Sequence, residues 1–221
     1  MVSHAPIASN YPTWFVEILL QVAQEWQQFY ASDTAFCIGE FLSSPQMSAV
    51  PVTSSCVLLH QPTPQDMELA VYFTEDVVER CKPLLHMQVW TAEVLPAYWV
   101  LVEEVSHFFL LCERGLSGQQ TTRLELEWQG EVDKLLFSAR RLYEQTGDYY
   151  FHALFHHLFE QKYLFAGEHY RTAHLLAARF WRSCLQSWEN LGRARVDVES
   201  LLQRYFRRIL RQPLSDKRPG F

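Results

Sequence analysis

The sequence predicts a mainly α fold of the α+β class, in which an N-terminal helix and a small antiparallel β-sheet precede a C-terminal helical bundle. Three observations predict it. No proline occurs between Pro96 and Pro213, and this run is rich in the helix-forming residues Leu, Ala, Glu, Gln and Arg. Most glycines within it stand close to points where the apolar periodicity breaks. Before Pro96, stretches of β-forming residues are separated by turn residues.

The N-terminal part is predicted to contain a helix, a sheet and a short capped helix. Apolar residues at helical spacing predict the first helix from Pro12 to about Tyr30. Three strands that would pair into the antiparallel sheet are predicted at residues 35–42, 55–61 and 67–73. Thr74 is then the predicted N-cap of a helix that ends at Pro83, because acidic residues fill its first turn.

The helices of the bundle follow the same apolar periodicity. They are predicted near residues 84–93, 96–114, 120–146, 148–165, 168–190 and 196–211. The chain is therefore divided into an N-terminal helix and sheet (1–83), a helical bundle (84–211) and a loose tail (212–221). We expect these parts to form one compact unit, with the helical hairpin at 97–146 at the centre of the bundle.

Composition and charge narrow the class of protein. The 221 residues suffice for one substantial core, and a hydrophobic content of 48% excludes a disordered chain. The net charge of -6 argues against general nucleic-acid binding. Residues 1–170 contain 8 basic and 21 acidic side chains, whereas residues 171–221 contain 11 and 4. We expect the two parts to attract each other, or the basic part to offer a surface to an acidic partner.

Cysteine usage and the N-terminal segment bear on location. The five cysteines are scattered, odd in number and without a C-x-x-C pair, which fits buried thiols in a reducing compartment. The N-terminus shows no basic region followed by an apolar run, and no apolar run reaches the roughly 18 residues that span a membrane. We therefore expect a cytoplasmic protein without a membrane span.

A carboxylate–histidine metal site is the first chemical hypothesis. Glu104 and His107 have the Glu-x-x-His spacing, which places both side chains on one helix face and is used by di-iron bundles. Glu131, with Glu127 one turn before it, is a candidate bridging carboxylate on the next helix, and His156 is a candidate nitrogen ligand. The metal would be iron, manganese or zinc.

The sequence also departs from the di-iron pattern, because it contains no second Glu-x-x-His. The alternative is a buried polar seam, since buried carboxylates are retained when they are paired. The seam would contain Glu127, Glu131, Arg171 and His174. Arg171, Lys134 and Arg179 are candidate partners of Glu131, and Arg171 is the preferred one. On this alternative we expect no cofactor.

Other catalytic classes lack their motifs. The chain has no G-x-S-x-G turn, no P-loop and no G-x-G-x-x-G loop. A serine or cysteine nucleophile and a nucleotide held by a glycine loop are therefore not expected.

A stripe of arginines marks the last predicted helix. Arg204, Arg207, Arg208 and Arg211 recur at helical spacing beside an apolar face. Such a helix can bind phosphates, an anionic membrane surface or an acidic protein groove, although charge runs are usually solvated faces. The preference for arginine favours pairing with carboxylates within the protein or across an interface.

Two functions remain open at this point. The first is a non-enzymatic cytoplasmic protein-interaction or regulatory protein, which binds a protein partner or forms a homo-oligomer and does not bind nucleic acid. The alternative is a metal-dependent helical-bundle oxidase or hydrolase with a carboxylate and histidine centre.

Overall fold

The structure is a computed structural model, which describes residues 2–3, 11–43, 54–63, 66–86, 93–160 and 167–190. The predicted mainly α fold with a small antiparallel sheet is confirmed. The strands are β1 (Val2–Ser3), β2 (Cys56–Thr63) and β3 (Asp66–Tyr72). The helices are α1 (Thr13–Tyr30), α2 (Glu75–Arg80), α3 (Leu95–Leu116), α4 (Arg123–Thr146), α5 (Phe151–Phe155) and α6 (Glu168–Asn190).

The chain divides into two compact units. The first unit comprises residues 1–26 and 33–121, and the second comprises residues 27–32 and 122–221. Helix α1 therefore supplies residues to both units. The boundary predicted after residue 83 lies inside the first unit, and the observed division falls between α3 and α4.

The sheet belongs to the first unit. Strands β2 and β3 pair antiparallel, from Cys56 opposite Tyr72 to Thr63 opposite Asp66, as the second and third predicted strands required. Strand β1 pairs parallel with the other edge of β3.

The first predicted strand, 35–42, is wrong. Ile38–Phe41 is a 3₁₀ turn that buries both of its end residues, because a three-residue spacing matches one 3₁₀ turn and not the alternation of a strand. The residue after this turn, Leu42, forms an isolated parallel bridge to Val71 of the sheet.

The helices of the first unit form its core around α3. The predicted cap of α2 is confirmed, since the Thr74 side chain accepts a hydrogen bond from the Val77 amide. The ring of Trp26 on α1 stacks on Phe109 of α3, with ring centroids 4.9 Å apart.

Helix α3, predicted at 96–114, is long and apolar enough to cross a membrane by length and composition, but 78% of its most apolar window is buried inside the protein. Core helices of globular proteins share this property.

In the second unit, α4 packs against α6. The indole N–H of Trp181 on α6 donates to the Val132 carbonyl on α4 over 3.2 Å, and Trp128 meets Phe180 edge to face. Helix α6 has the predicted bounds of 168–190 and α4 begins three residues later than predicted.

Two predicted helices of the bundle differ from the observed elements. The helix predicted at 148–165 is observed as α5, followed by a π turn over His156–Glu160. The start of the helix predicted at 84–93 is a 3₁₀ turn over Lys82–His86. Residues 87–92 and the helix predicted at 196–211 lie outside the described residues.

A capping box begins α4. The Thr122 hydroxyl accepts the Glu125 amide over 3.2 Å, and a Glu125 carboxylate oxygen accepts the Thr122 amide over 3.0 Å. We expect Thr122→Ala to lower the free energy of unfolding by about 1 kcal/mol, because a helix-terminal amide loses its acceptor. Urea unfolding measures this change. Thr122→Ser should retain most of the stability, and a loss of the same size in Thr121→Ala would contradict the explanation.

Candidate functional site

A largely buried charged group joins α4 to α6 in the second unit. Glu131 and Lys134 share one face of α4, where their three-residue spacing lets the Lys134 ammonium approach a Glu131 carboxylate oxygen to 2.7 Å. The other carboxylate oxygen lies 2.7 Å from Nδ1 of His174 on α6. We call these three residues the Glu131 cluster.

The cluster holds Glu131 in its ionised form. Burial alone would raise the pKa of this carboxyl group, but the charge of Lys134 and the hydrogen bonds from His174 and Lys134 outweigh it and lower the pKa to about 2. An ionised carboxylate only accepts hydrogen bonds, so Nδ1 of His174 carries the proton of the bond between them. The His174 ring also lies against Phe159, with ring centroids 5.0 Å apart, which fixes its orientation.

The structure gives Glu131 partners other than the predicted Arg171. Both carboxylate oxygens are engaged, one by Lys134 and one by His174, and Arg171 lies on the exposed side of α6. An ammonium group at 2.7 Å also repels a metal cation. This geometry favours pairing of Glu131 within the protein over metal ligation.

Glu127 lies one turn before Glu131 and belongs to a different pair. Its carboxylate is buried and lies 3.6 Å from Nε of Arg123. The Arg123 guanidinium also donates to the Tyr170 hydroxyl over 2.7 Å and lies over the Tyr170 ring. Of the predicted seam, Glu131 thus contacts His174, Glu127 pairs with Arg123, and Arg171 is exposed.

Glu104 and His107 lie in the first unit, one turn apart on α3. Both side chains are buried, and the Glu104 carboxylate lies 3.6 Å from Nδ1 of His107. Their predicted meeting on one helix face is therefore seen. His156, the fourth residue of the predicted metal site, lies in the second unit, where its side chain is exposed at the start of the π turn.

A buried hydrogen-bonded group in the second unit was not predicted. The Tyr30 hydroxyl donates to Oδ1 of Asp133, and the Gln129 side-chain amide donates to the same carboxylate oxygen over 3.0 Å and to the Tyr30 hydroxyl over 2.9 Å. Burial, with a smaller contribution from the Asp133 charge, raises the pKa of Tyr30 well above its usual value. The Tyr30 hydroxyl therefore remains a hydrogen-bond donor. The sequence signal for this group is the four-residue spacing of Gln129 and Asp133 within one predicted helix.

An aromatic row in the second unit runs from the core to the surface. Tyr143 and Tyr149 stack nearly parallel with ring centroids 4.3 Å apart, and Tyr149 stacks on Phe151 at 5.1 Å. Phe151 lies 5.6 Å from Trp181, which is 1% exposed, whereas Tyr143 at the other end is 44% exposed. The buried end therefore fixes the position of the exposed end.

The loop between α4 and α5 carries backbone strain beside this row. Gly147 ends α4 in the left-handed conformation, and Tyr150 adopts the same region with φ 48° and ψ 31°. A left-handed conformation costs a non-glycine residue roughly 1–2 kcal/mol. Tyr150 is 47% exposed, and its amide donates to the Asp148 carboxylate over 3.4 Å. Strain of this kind is concentrated at functional sites.

The predicted arginine stripe, Arg204, Arg207, Arg208 and Arg211, lies outside the described residues. The functional conclusion therefore depends on the groups in residues 11–190. No protein-family model, curated protein or solved structure matches this chain, so the conclusion also depends on its own geometry alone.

Proposed function

We propose that this chain is a non-enzymatic protein-interaction protein, and that Tyr143, Tyr149, Tyr150 and Asp148 form the surface that binds a basic segment of its partner. We call these four residues the tyrosine surface. The single observation that carries the proposal is the aromatic row, which connects the exposed Tyr143, through Tyr149 and Phe151, to the buried Trp181.

Prepositioned tyrosines suit protein binding. Tyr and Trp are enriched at interfaces because they offer a large contact area and lose little conformational entropy on binding. Here Tyr149 is stacked between Tyr143 and Phe151. A partner that contacts this surface therefore meets rings that are already ordered.

The charges around the tyrosine surface favour a basic partner. Asp148 is exposed beside Tyr150. The two nearby arginines are engaged, since Arg141 lies 3.4 Å from the Glu144 carboxylate and the Arg140 guanidinium lies over the ring of Phe29. Arginine side chains stack on tyrosine rings and pair with carboxylates, so an arginine-containing segment matches both groups.

Binding of a defined peptide tests the proposal. We expect a labelled oligo-arginine peptide to bind the full chain, and an oligo-glutamate peptide of equal length not to bind, in a fluorescence anisotropy titration. Tyr143→Ser and Tyr150→Asn should each weaken arginine-peptide binding about fivefold, because a stacked guanidinium contributes about 1 kcal/mol. Asparagine is chosen at position 150 because it tolerates the left-handed conformation.

Leu116→Ser is the matched control, since Leu116 is a 63% exposed apolar residue of the first unit. It should bind the arginine peptide like the unsubstituted chain. Equal binding of the two peptides, or unchanged binding in both tyrosine variants, would overturn the proposal. A dimer in sedimentation that both tyrosine variants disperse would identify the partner as a second copy of this chain.

The alternative, a metal-dependent oxidase or hydrolase, stays a prediction that the Glu104–His107 pair keeps open. Metal analysis of the purified chain tests it, together with Glu104→Ala and Glu131→Ala. Stoichiometric iron, manganese or zinc that both variants lose would support an enzyme. Metal-free protein that becomes less stable in either variant would indicate that the carboxylates are structural.

A further inference from the structure

Helix α5 and the π turn that follows it carry three metal-binding side chains, two histidines and one glutamate, at exposed positions. His152, His156 and Glu160 follow one another at four-residue intervals, and all three are exposed. Residues four apart on a helix are neighbours on its surface. Among the residues that the structure describes, this is the one π turn, and such turns occur frequently at functional sites.

We propose that His152 and His156 bind one divalent transition-metal ion, and that Glu160 orients His156 for this purpose. We call these three residues the di-histidine site. It is separate from the tyrosine surface, and its metal would be Zn²⁺, Ni²⁺ or Cu²⁺, which imidazole ligands suit.

The contact between His156 and Glu160 supports this role. Nδ1 of His156 lies 2.7 Å from a Glu160 carboxylate oxygen, so the carboxylate accepts the Nδ1 proton and Nε2 keeps its lone pair for a metal. Metal-bound histidines commonly donate their other ring nitrogen to a carboxylate, which fixes the tautomer and makes the ligand more basic. His152, one turn earlier, supplies the second imidazole, and water would fill the remaining positions.

One nearby cation opposes metal binding. The Arg182 guanidinium lies 4.0 Å from the other Glu160 carboxylate oxygen and is held over the Phe155 ring. The positive charge of Arg182 repels a metal ion, and its guanidinium shares the Glu160 carboxylate with His156. We therefore expect Arg182→Gln to bind metal more tightly than the unsubstituted chain.

Calorimetric titration of Ni²⁺ into the full, untagged chain at neutral pH tests the site. We expect one Ni²⁺ ion per chain. His152→Ala and His156→Ala should each weaken binding at least about tenfold, because each removes one of two protein ligands. Glu160→Gln should weaken binding about tenfold, as the loss of an orienting carboxylate typically does.

His60→Ala is the matched control. Nδ1 of His60 contacts Glu68 over 3.0 Å on an exposed surface, but no histidine lies four residues from it. This variant should bind Ni²⁺ like the unsubstituted chain. The proposal is overturned if the unsubstituted chain binds no Ni²⁺, if either His152→Ala or His156→Ala binds Ni²⁺ undiminished, or if His60→Ala loses as much affinity. Metal-free melting temperatures of the variants, expected to match the unsubstituted chain, exclude unfolding as the cause.

Discussion

Replacing Lys134 by Met is expected to lower the free energy of unfolding by about 3–5 kcal/mol, the usual cost of removing one partner from a buried ion pair. The Glu131 carboxylate would lose the ammonium group that lies 2.7 Å away and would keep only His174. Methionine preserves most of the lysine stem, so the loss reports the charge and not a cavity. Chemical unfolding measures the change.

A surface pair with the same spacing provides the control. Lys82 and Glu79 are also three residues apart on one helical stretch, but their side chains are 54% and 61% exposed. Lys82→Met should change stability by less than about 0.5 kcal/mol. The double variant Glu131→Gln/Lys134→Met removes both charges and should regain much of the stability lost in Lys134→Met. If Lys134→Met costs no more than Lys82→Met, the Glu131 cluster does not stabilise the fold.

The Glu131 carboxylate also makes the free energy of unfolding depend on pH. Its pKa is about 2 in the folded chain against a usual value of 4.5, so its contribution is complete above pH 4.5 and is lost as the pH falls through 2. The shift corresponds to about 3 kcal/mol. Unfolding measured between neutral pH and pH 2 should therefore show a smaller acid-induced loss in Glu131→Gln than in the unsubstituted chain.

Tyr30→Phe is expected to lower the free energy of unfolding by about 2–3 kcal/mol. The Asp133 side chain is fully buried and accepts hydrogen bonds from the Tyr30 hydroxyl and the Gln129 amide. Removing the hydroxyl takes a donor from a buried carboxylate, and hydrogen bonds to charged groups contribute about 1.5–3 kcal/mol. Thermal and chemical unfolding both measure the loss.

Tyr150→Phe is the control for this substitution, because the Tyr150 side chain is 47% exposed. It removes the same hydroxyl and should leave the stability nearly unchanged. Combining Tyr30→Phe with Gln129→Leu should cost less than the two single changes together, since both donors serve one carboxylate oxygen. Equal effects of Tyr30→Phe and Tyr150→Phe would contradict a structural role for the hydrogen bond.

The sequence predicted those parts of the fold that depend on local chemistry. Apolar periodicity predicted the bounds of α6 as they are observed. Thr74 predicted the start of α2, because the side chain that caps a helix binds an amide within three residues. The strand predicted at residues 35–42 was wrong, although the composition of this stretch favours a strand. The tertiary structure instead uses Ile38 and Phe41 as the two apolar ends of one turn.

The site was less predictable, because its contacts depend on how helices are rotated and paired. Arg171 and His174 lie three residues apart on α6, and only the packing of α6 on α4 decides that His174 meets Glu131. The hydrogen bond between Tyr30 and Asp133 joins residues 103 positions apart, which no local pattern can indicate. The aromatic row likewise combines residues from α4, a loop, α5 and α6.

The assignment of residues 27–32 to the second unit has a consequence for how that unit is made. Residues 27–32 leave the ribosome long before Asp133, the hydrogen-bond partner of Tyr30, does. Residues 122–221 alone therefore do not make up the complete second unit. Proteolytic fragments that begin at Thr122 would lack the Tyr30 hydroxyl and would leave the Asp133 carboxylate short of a donor. We expect a peptide that contains residues 27–32 to supply this donor and to increase the order of such a fragment.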